Sequence, residues 1–278
     1  MNKISQLIAH FREANRRRIK NRPSRNLRGP LGKEASRVGN ELDKVLSKVI
    51  GIPVVIVSYN NFSYVMQMVR QLNNFSIIPI VLDNASTDPM AQRGLKALPP
   101  SQAFVIFSAY NFKHTVGFIE PIYEKLPNIF AYSDPDLQFL ETLPADFLNQ
   151  LAKLTEEFDV YKAACALPLN FENFTLSSKR NSVHLKEPFE FQATHSILEW
   201  ETKFWKQRLA HSLEVYSAQT DTTFAVYNKS KYRGFFFDAV RVAGSFSAIH
   251  LPWYEELDLM STHEKNAYMD ANQSTTWK

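Results

Sequence analysis

Asn128-Ile129-Phe130-Ala131-Tyr132-Ser133-Asp134-Pro135-Asp136 is an apolar run that stops on two carboxylates separated by one proline. The run reads as a buried strand. Pro135 has no N–H to give to a ladder and a φ held at about −65°, so the strand ends there. Both carboxylates then project from a stiff turn at the carboxyl end of a strand, which is the edge where open α/β sheets bind ligands. Oxygen donors this close suit Mg²⁺ or Mn²⁺ bridging to phosphates, although Asp-Pro-Asp is also an ordinary turn former.

Working outward, three earlier apolar runs share this design. Ile50–Asn60 reads as a fully buried central strand and is followed by a helix with Val65, Met68, Val69 and Leu72 at helical spacing. A second strand, Ile77–Leu82, ends in Asp83-Asn84-Ala85-Ser86-Thr87-Asp88-Pro89. A helix around Met90–Leu98 leads to a third strand, Ala103–Phe107, and to a polar loop from Asn111 to Gly117. Strand, helix, strand in succession implies right-handed parallel crossovers, and every strand ends in polar residues at the same edge. The expected class is therefore α/β, a Rossmann-like, mostly parallel sheet flanked by helices. Beyond Asp136 the rhythm changes to a helix near Ala145–Glu157, a strand around Tyr161–Pro168, a polar stretch Asn170–Glu187 and an aromatic region with Trp200, Phe204 and Trp205. That half should be mixed and partly antiparallel, and the tail Ser261–Lys278, with little apolar periodicity, should be peripheral or frayed.

The 278 residues, 45% hydrophobic, suffice for one large domain with an extension. The organisation reads as a basic helical extension over 1–48, a strand-and-helix half over 49–160, a mixed half over 161–260, and a tail over 261–278. Cys165 is the single cysteine, which excludes an intramolecular disulfide and a cysteine-type zinc site, and fits a reducing cytoplasm. The amino-terminal residues Met1–Phe11 lack the long apolar stretch of a secretory signal, and no segment reaches the roughly 18 consecutive apolar residues of a spanning helix. Net charge is +4, but residues 1–50 carry 13 Lys and Arg against 4 Asp and Glu, so the remainder is net acidic. The basic centre Arg16–Arg28 has no aromatic residue to stack on bases, which argues against nucleic acid. A helix over about Lys3–Lys20, with Ile4, Leu7, Ile8 and Phe11 on one side, suits an anionic membrane surface, or else a solvated arm or a homo-oligomer contact. A short polar helix near Glu41–Lys48 should follow.

Several chemistries are poorly supported. No Gly-x-Gly-x-x-Gly follows a strand, Gly32-Lys33-Glu34 lacks the rest of a phosphate loop, and Gly244-Ser245 has no Gly-x-Ser-x-Gly frame. A nucleotide must be held another way.

Taken in order, five segments resemble the GT-A type glycosyltransferases, and within them the family 2 group of bacterial enzymes that use nucleotide diphosphate sugars. They are Pro53–Asn60, Val81–Asp88, Asp134-Pro135-Asp136 as an Asp-x-Asp motif, Thr220–Ala225 and His250–Tyr254. The resemblance spans roughly Ile52 to Glu256 and implies a GT-A fold and a hexosyltransferase-type activity, with 49–160 as the nucleotide-sugar-binding half and 161–260 as the acceptor-binding half. It implies that Ser58, Tyr59 and Asn60 line the nucleoside pocket, that Asp83 meets the base, and that Asp134 faces ribose and sugar. It further implies that Asp136 and His250 ligate Mn²⁺ or Mg²⁺, while Asn111 lies in the donor loop and Trp253 stacks on a sugar or seals the core. The donor would be UDP-linked. The acceptor would be a glycan or glycolipid of a bacterial surface polysaccharide such as lipopolysaccharide, assembled at the inner face of the cytoplasmic membrane.

The chemistry fits those residue types. Breaking a sugar–diphosphate bond develops negative charge that a cation offsets, and a base must take the acceptor's proton on the opposite face of the sugar. Asp221 is the candidate base, with single displacement inverting the anomeric centre; alternatively it caps a helix through Thr222 and Thr223. Glu199 and Glu201 are rivals for the base, Arg241 is a candidate partner for a phosphate or the acids, and Lys113 and His114 lie at the right edge to touch diphosphate. The family's usual acidic pair is here Thr220-Asp221, without a second acid. Two other readings stay open: a sugar nucleotidyltransferase, although Ser58–Asn61 has no glycine, and a non-catalytic nucleotide- or glycan-binding scaffold.

Overall fold

The structure is a computed structural model that describes residues 27–169 and 197–271. The expected Lys3–Lys20 helix, the polar stretch Asn170–Glu187 and the last residues of the tail lie outside the described residues.

Strands β1 (Val54–Ser58), β2 (Ile80–Asp83), β3 (Phe104–Phe107) and β4 (Ile129–Ser133) form inside the four apolar runs. They pair parallel in the order β3-β2-β1-β4. All five residues of β1 are buried, as expected for a strand covered on both faces. At about 1.5–3 kcal/mol for each buried aliphatic side chain, such strands account for much of the drive to fold. The intervening helices Phe62–Asn74 and Pro89–Ala97 lie where their apolar spacing places them. Asp88 starts the second by accepting the Ala91 N–H at 2.8 Å, with Pro89 in the first turn.

The sheet continues through β8 (Ala225–Asn228), β6 (Lys162–Cys165), β9 (Ala239–Val242) and β7 (Val215–Ser217), giving eight strands in the order β3-β2-β1-β4-β8-β6-β9-β7. This second half is mixed: β8 is antiparallel to both β4 and β6, β6 and β9 are parallel, and β7 is antiparallel to β9. The mixed, mostly parallel sheet flanked by helices is the class the sequence predicts.

Two pairings place the site. Because β8 runs antiparallel to β4, with Tyr132 opposite Ala225, the chain entering β8 lies beside the carboxyl end of β4. A separate two-stranded sheet pairs β5 (Leu137–Phe139) with β10 (Ala248–His250), with His250 opposite Leu137. Residues more than a hundred positions apart are thereby set next to Asp136.

Two helices differ from expectation. The helix predicted near Glu41–Lys48 instead spans Gly29–Leu46. Its buried face is built from small residues, Ala35, Val38 and Gly39, with Leu42, so the stripe is faint in the sequence. Gly39 is needed because a Cβ there would stand 2.4 Å from the Pro121 carbonyl oxygen. Part of the tail expected to be frayed forms the helix Thr262–Ala271, held mainly by polar contacts rather than an apolar stripe.

Candidate active site

The loops leaving the first three strands each contain a residue in the left-handed region: Asn60 at φ 51°, Ala85 at 65° and Lys113 at 70°. Such conformations cost about 1–2 kcal/mol for residues with a Cβ and are held by their surroundings. Two buried asparagines do the holding. Asn60 Oδ1 accepts the N–H groups of Thr87 and Asp88, tying the end of β1 to the end of β2. Asn84 Oδ1 accepts the Phe112 N–H, and its Nδ2 donates to Asn111 Oδ1 and the Lys113 carbonyl, tying β2 to the loop after β3. Asn60 is thus engaged in shaping the edge, with Nδ2 also reaching the Ala267 carbonyl at 3.2 Å. Ser58 is fully buried and Tyr59 partly so. Asp83 is 2% exposed, accepts from the Ser86 hydroxyl and N–H, and has its pKa raised because burial outweighs those bonds.

Asp134 and Asp136 flank Pro135 between β4 and β5, as the opening stretch predicts. Asp136 is 7% exposed, and its Oδ1 has no hydrogen-bond partner among the described residues. Its Oδ2 lies 3.5 Å from His250 Nε2, and its carbonyl accepts the Leu251 N–H at 2.9 Å. Burial raises the Asp136 pKa. Burial also raises that of Asp134, with further upward pressure from Asp136, while His114 and the Thr222 hydroxyl pull it down. A buried and a half-buried acid whose pKa values are pushed up together form a place that favours a cation. Among the described residues no three His, Cys, Asp or Glu side chains group closely enough to hold a metal alone. Asp136 and His250 offer one carboxylate and one imidazole, a pair that would need further oxygens from phosphate and water to complete a divalent cation's shell. Trp253 stacks on the His250 ring at 4.6 Å between centroids, so one of its faces is already covered, and Tyr254 is fully buried in the core.

Asp221 lies in a bend that runs directly into β8, and no helix begins there for it to cap. Its side chain is 47% exposed, with His114 Nε2 3.7 Å from its Oδ2. The neighbouring Thr222 donates its hydroxyl to Asp134 Oδ2 at 2.6 Å and accepts the Asp134 N–H at its carbonyl. His114 is aimed from behind by Tyr132, whose hydroxyl donates to the His114 carbonyl and accepts the Gly117 N–H. Gly117 permits this because a Cβ would meet the Tyr132 ring at 2.3 Å. The structure therefore brings Asp134, Asp136, His250, Asp221 and His114 to one edge. Thr222, Tyr132 and Asn84 carry roles the sequence reading did not assign, and only their tertiary neighbours reveal them.

The rivals fall away from the edge or are engaged elsewhere. Glu201 and Arg241 are both buried and pair at 2.7 Å, and Arg241 also donates to the Gln219 carbonyl, so neither is free for base or phosphate work. Glu199 is exposed on the helix Ile197–Thr202. The helix Thr262–Ala271 crosses the β1 and β2 loops, with Glu264 accepting from the Ser63 N–H and hydroxyl and His263 bonded to Asp88 at 2.9 Å.

No protein-family model matches the chain, and no curated protein does. The solved structures similar to it include the following two. One is the mannosyltransferase PcManGT from Pyrobaculum calidifontis in complex with GDP-Man and Mn²⁺, at 15% identity and a TM-score of 0.32, covering 59% of this chain and 48% of that one. The other is S. aureus TarS 1-349, at 14% identity and a TM-score of 0.34, covering 65% of this chain and 48% of that one. The chain thus spans about half the length of the solved structures it matches.

Proposed function

We propose that the protein is a metal-dependent GT-A type glycosyltransferase that moves a sugar from a nucleotide diphosphate sugar, UDP-linked, to a glycan or glycolipid acceptor. The observation that carries this reading is Asp136: a buried carboxylate with one oxygen lacking a hydrogen-bond partner among the described residues, beside Asp134 and His250 at the carboxyl edge of a parallel strand. Asp136 and His250 would hold the cation, the histidine favouring Mn²⁺ over Mg²⁺, with Asp134 turned to the nucleotide sugar. When bound, the cation offsets the charge that develops on the departing diphosphate.

The chain's own residues supply the rest. Asp221 accepts the acceptor hydroxyl's proton as that oxygen bonds to the anomeric carbon and the bond to the diphosphate breaks; a single displacement of this kind inverts the centre. His114 stands beside the Asp221 carboxylate, and Thr222 keeps Asp134 at a fixed distance from that loop. The reading extends to bacterial surface polysaccharide synthesis at the cytoplasmic membrane face, with the basic residues before Gly29 on anionic lipid. Among the described residues no helix is long and apolar enough to cross a membrane.

Calorimetry with UDP and GDP, with and without Mn²⁺, tests the reading, followed by a donor screen that reads released nucleotide. Metal-enhanced nucleotide binding and turnover of one donor are expected. A folded sample that binds neither nucleotide overturns it.

A further inference from the structure

Lys162 opens β6 and is fully buried, yet its ammonium pairs with no carboxylate within bonding distance among the described residues. Its Nζ donates to two successive carbonyls, Thr220 and Asp221, each at 2.9 Å. The remaining side of the ammonium faces the Phe236 ring, 3.7 Å from its centroid, with the Tyr227 ring 5.0 Å away. Arg241, from the next strand, donates to the Gln219 carbonyl at 2.9 Å, and the Tyr227 hydroxyl donates to the Asp221 carbonyl at 3.2 Å.

Three consecutive carbonyls are thus gripped from beneath by buried donors on β6, β8 and β9. Above them the Asp221 carboxylate stays half exposed at the sheet edge. A backbone clamped at its carbonyls beneath an accessible side chain suits a group that must meet a substrate at a fixed place. A buried ammonium is costly to desolvate, and an apolar side chain of similar length would fill the same space more readily. The donors, rather than the volume, are what the position supplies.

We infer that Lys162 is a positioning residue, one that holds the Asp221 backbone so that its carboxylate reaches the acceptor hydroxyl. This rests on the reading of Asp221 as the base, and it goes beyond that reading by assigning the device that aims it.

Lys162→Met keeps the length and removes the donors. Amide hydrogen exchange at Asp134, whose N–H donates to the Thr222 carbonyl of the same loop, is expected to speed up at least tenfold in this variant, while the amides of β1 and β2 keep their protection. With the donor found by screening, kcat is expected to fall about ten- to a hundredfold with the donor KM little changed. Lys162→Ala, assayed with and without butylammonium, covers the case in which the methionine variant does not fold. Partial restoration of both kcat and amide protection by the cation is expected there. Unchanged exchange at Asp134, or an unchanged kcat, overturns the inference even where the enzyme is active. Exchange is read without any substrate, so a wild-type chain that transfers no sugar instead refutes the glycosyltransferase reading, and the catalytic part of this inference with it.

Discussion

The Thr222 hydroxyl donates to Asp134 Oδ2 at 2.6 Å across 88 residues of sequence, joining the loop of the candidate base to the candidate donor site. Thr222 is 2% exposed, so water cannot readily replace the bond. A hydrogen bond to a charged acceptor contributes about 1.5–3 kcal/mol. Thr222→Val, which keeps the shape, is expected to lower kcat/KM by on the order of ten- to a hundredfold. Thr222→Ser should retain most of it. Steady-state kinetics of the two variants makes the comparison.

Asp136 is the carboxylate proposed to hold the cation, and one of its oxygens has no hydrogen-bond partner among the described residues. Asp136→Asn removes the charge and keeps the volume. The Mn²⁺-dependent gain in nucleotide affinity is expected to vanish by calorimetry. The metal-free melting temperature should hold or rise, because a buried carboxylate lacking a partner for one oxygen is gone.

Much of this edge was legible in the sequence, for a physical reason. Strands β1 to β4 are buried on both faces, so they are continuous apolar runs, and each stops where polar residues begin. The Asp134-Pro135-Asp136 turn is a local feature and could be placed by reading alone. Thr222, Tyr132 and Lys162 act through partners 88, 18 and 59 residues away, so their neighbours do not mark them. Lys162 in particular opens a strand, where a lysine ordinarily reads as a solvated end. The helix Gly29–Leu46 hides its start behind small buried residues, and Thr262–Ala271 is fixed by Glu264 and His263, whose polarity suggested a frayed tail.

Asp221→Asn keeps the shape of the candidate base and removes its basicity. General-base catalysis contributes about 10²–10⁴-fold, and a loss of that size in kcat is expected while calorimetric donor affinity stays unchanged. A variant with near-normal turnover would remove Asp221 from the mechanism and shift attention to His114, 3.7 Å away.

Gly117 sits against the Tyr132 ring, and the added Cβ of Gly117→Ala would come within 2.3 Å of it. Overpacking of this kind costs about 1–3 kcal/mol. A drop of a few degrees in melting temperature is expected, measured by calorimetric scan. Tyr132 also holds the His114 carbonyl, so the variant should lose transfer activity at temperatures where it remains folded.

The charges at this edge make stability depend on pH in a way that a cation should reverse. Asp134 and Asp136 have folded pKa values raised above the unfolded carboxylate value by burial. Between that ordinary value and neutrality the folded chain therefore binds more protons than the unfolded one, and stability falls as pH rises. Lys162 works in the opposite sense, since burial pushes it down to about 7. Above that pH the unfolded chain binds the extra proton, and stability climbs again. The metal-free protein should thus show a minimum in melting temperature near neutral pH when scanned in a chelating buffer. Mn²⁺ binds the ionised carboxylates, so it should raise the melting temperature more at pH 7.5 than at pH 5, values on either side of the carboxylates' raised range. Asp136→Asn should flatten the acid limb and leave the alkaline limb, which belongs to Lys162.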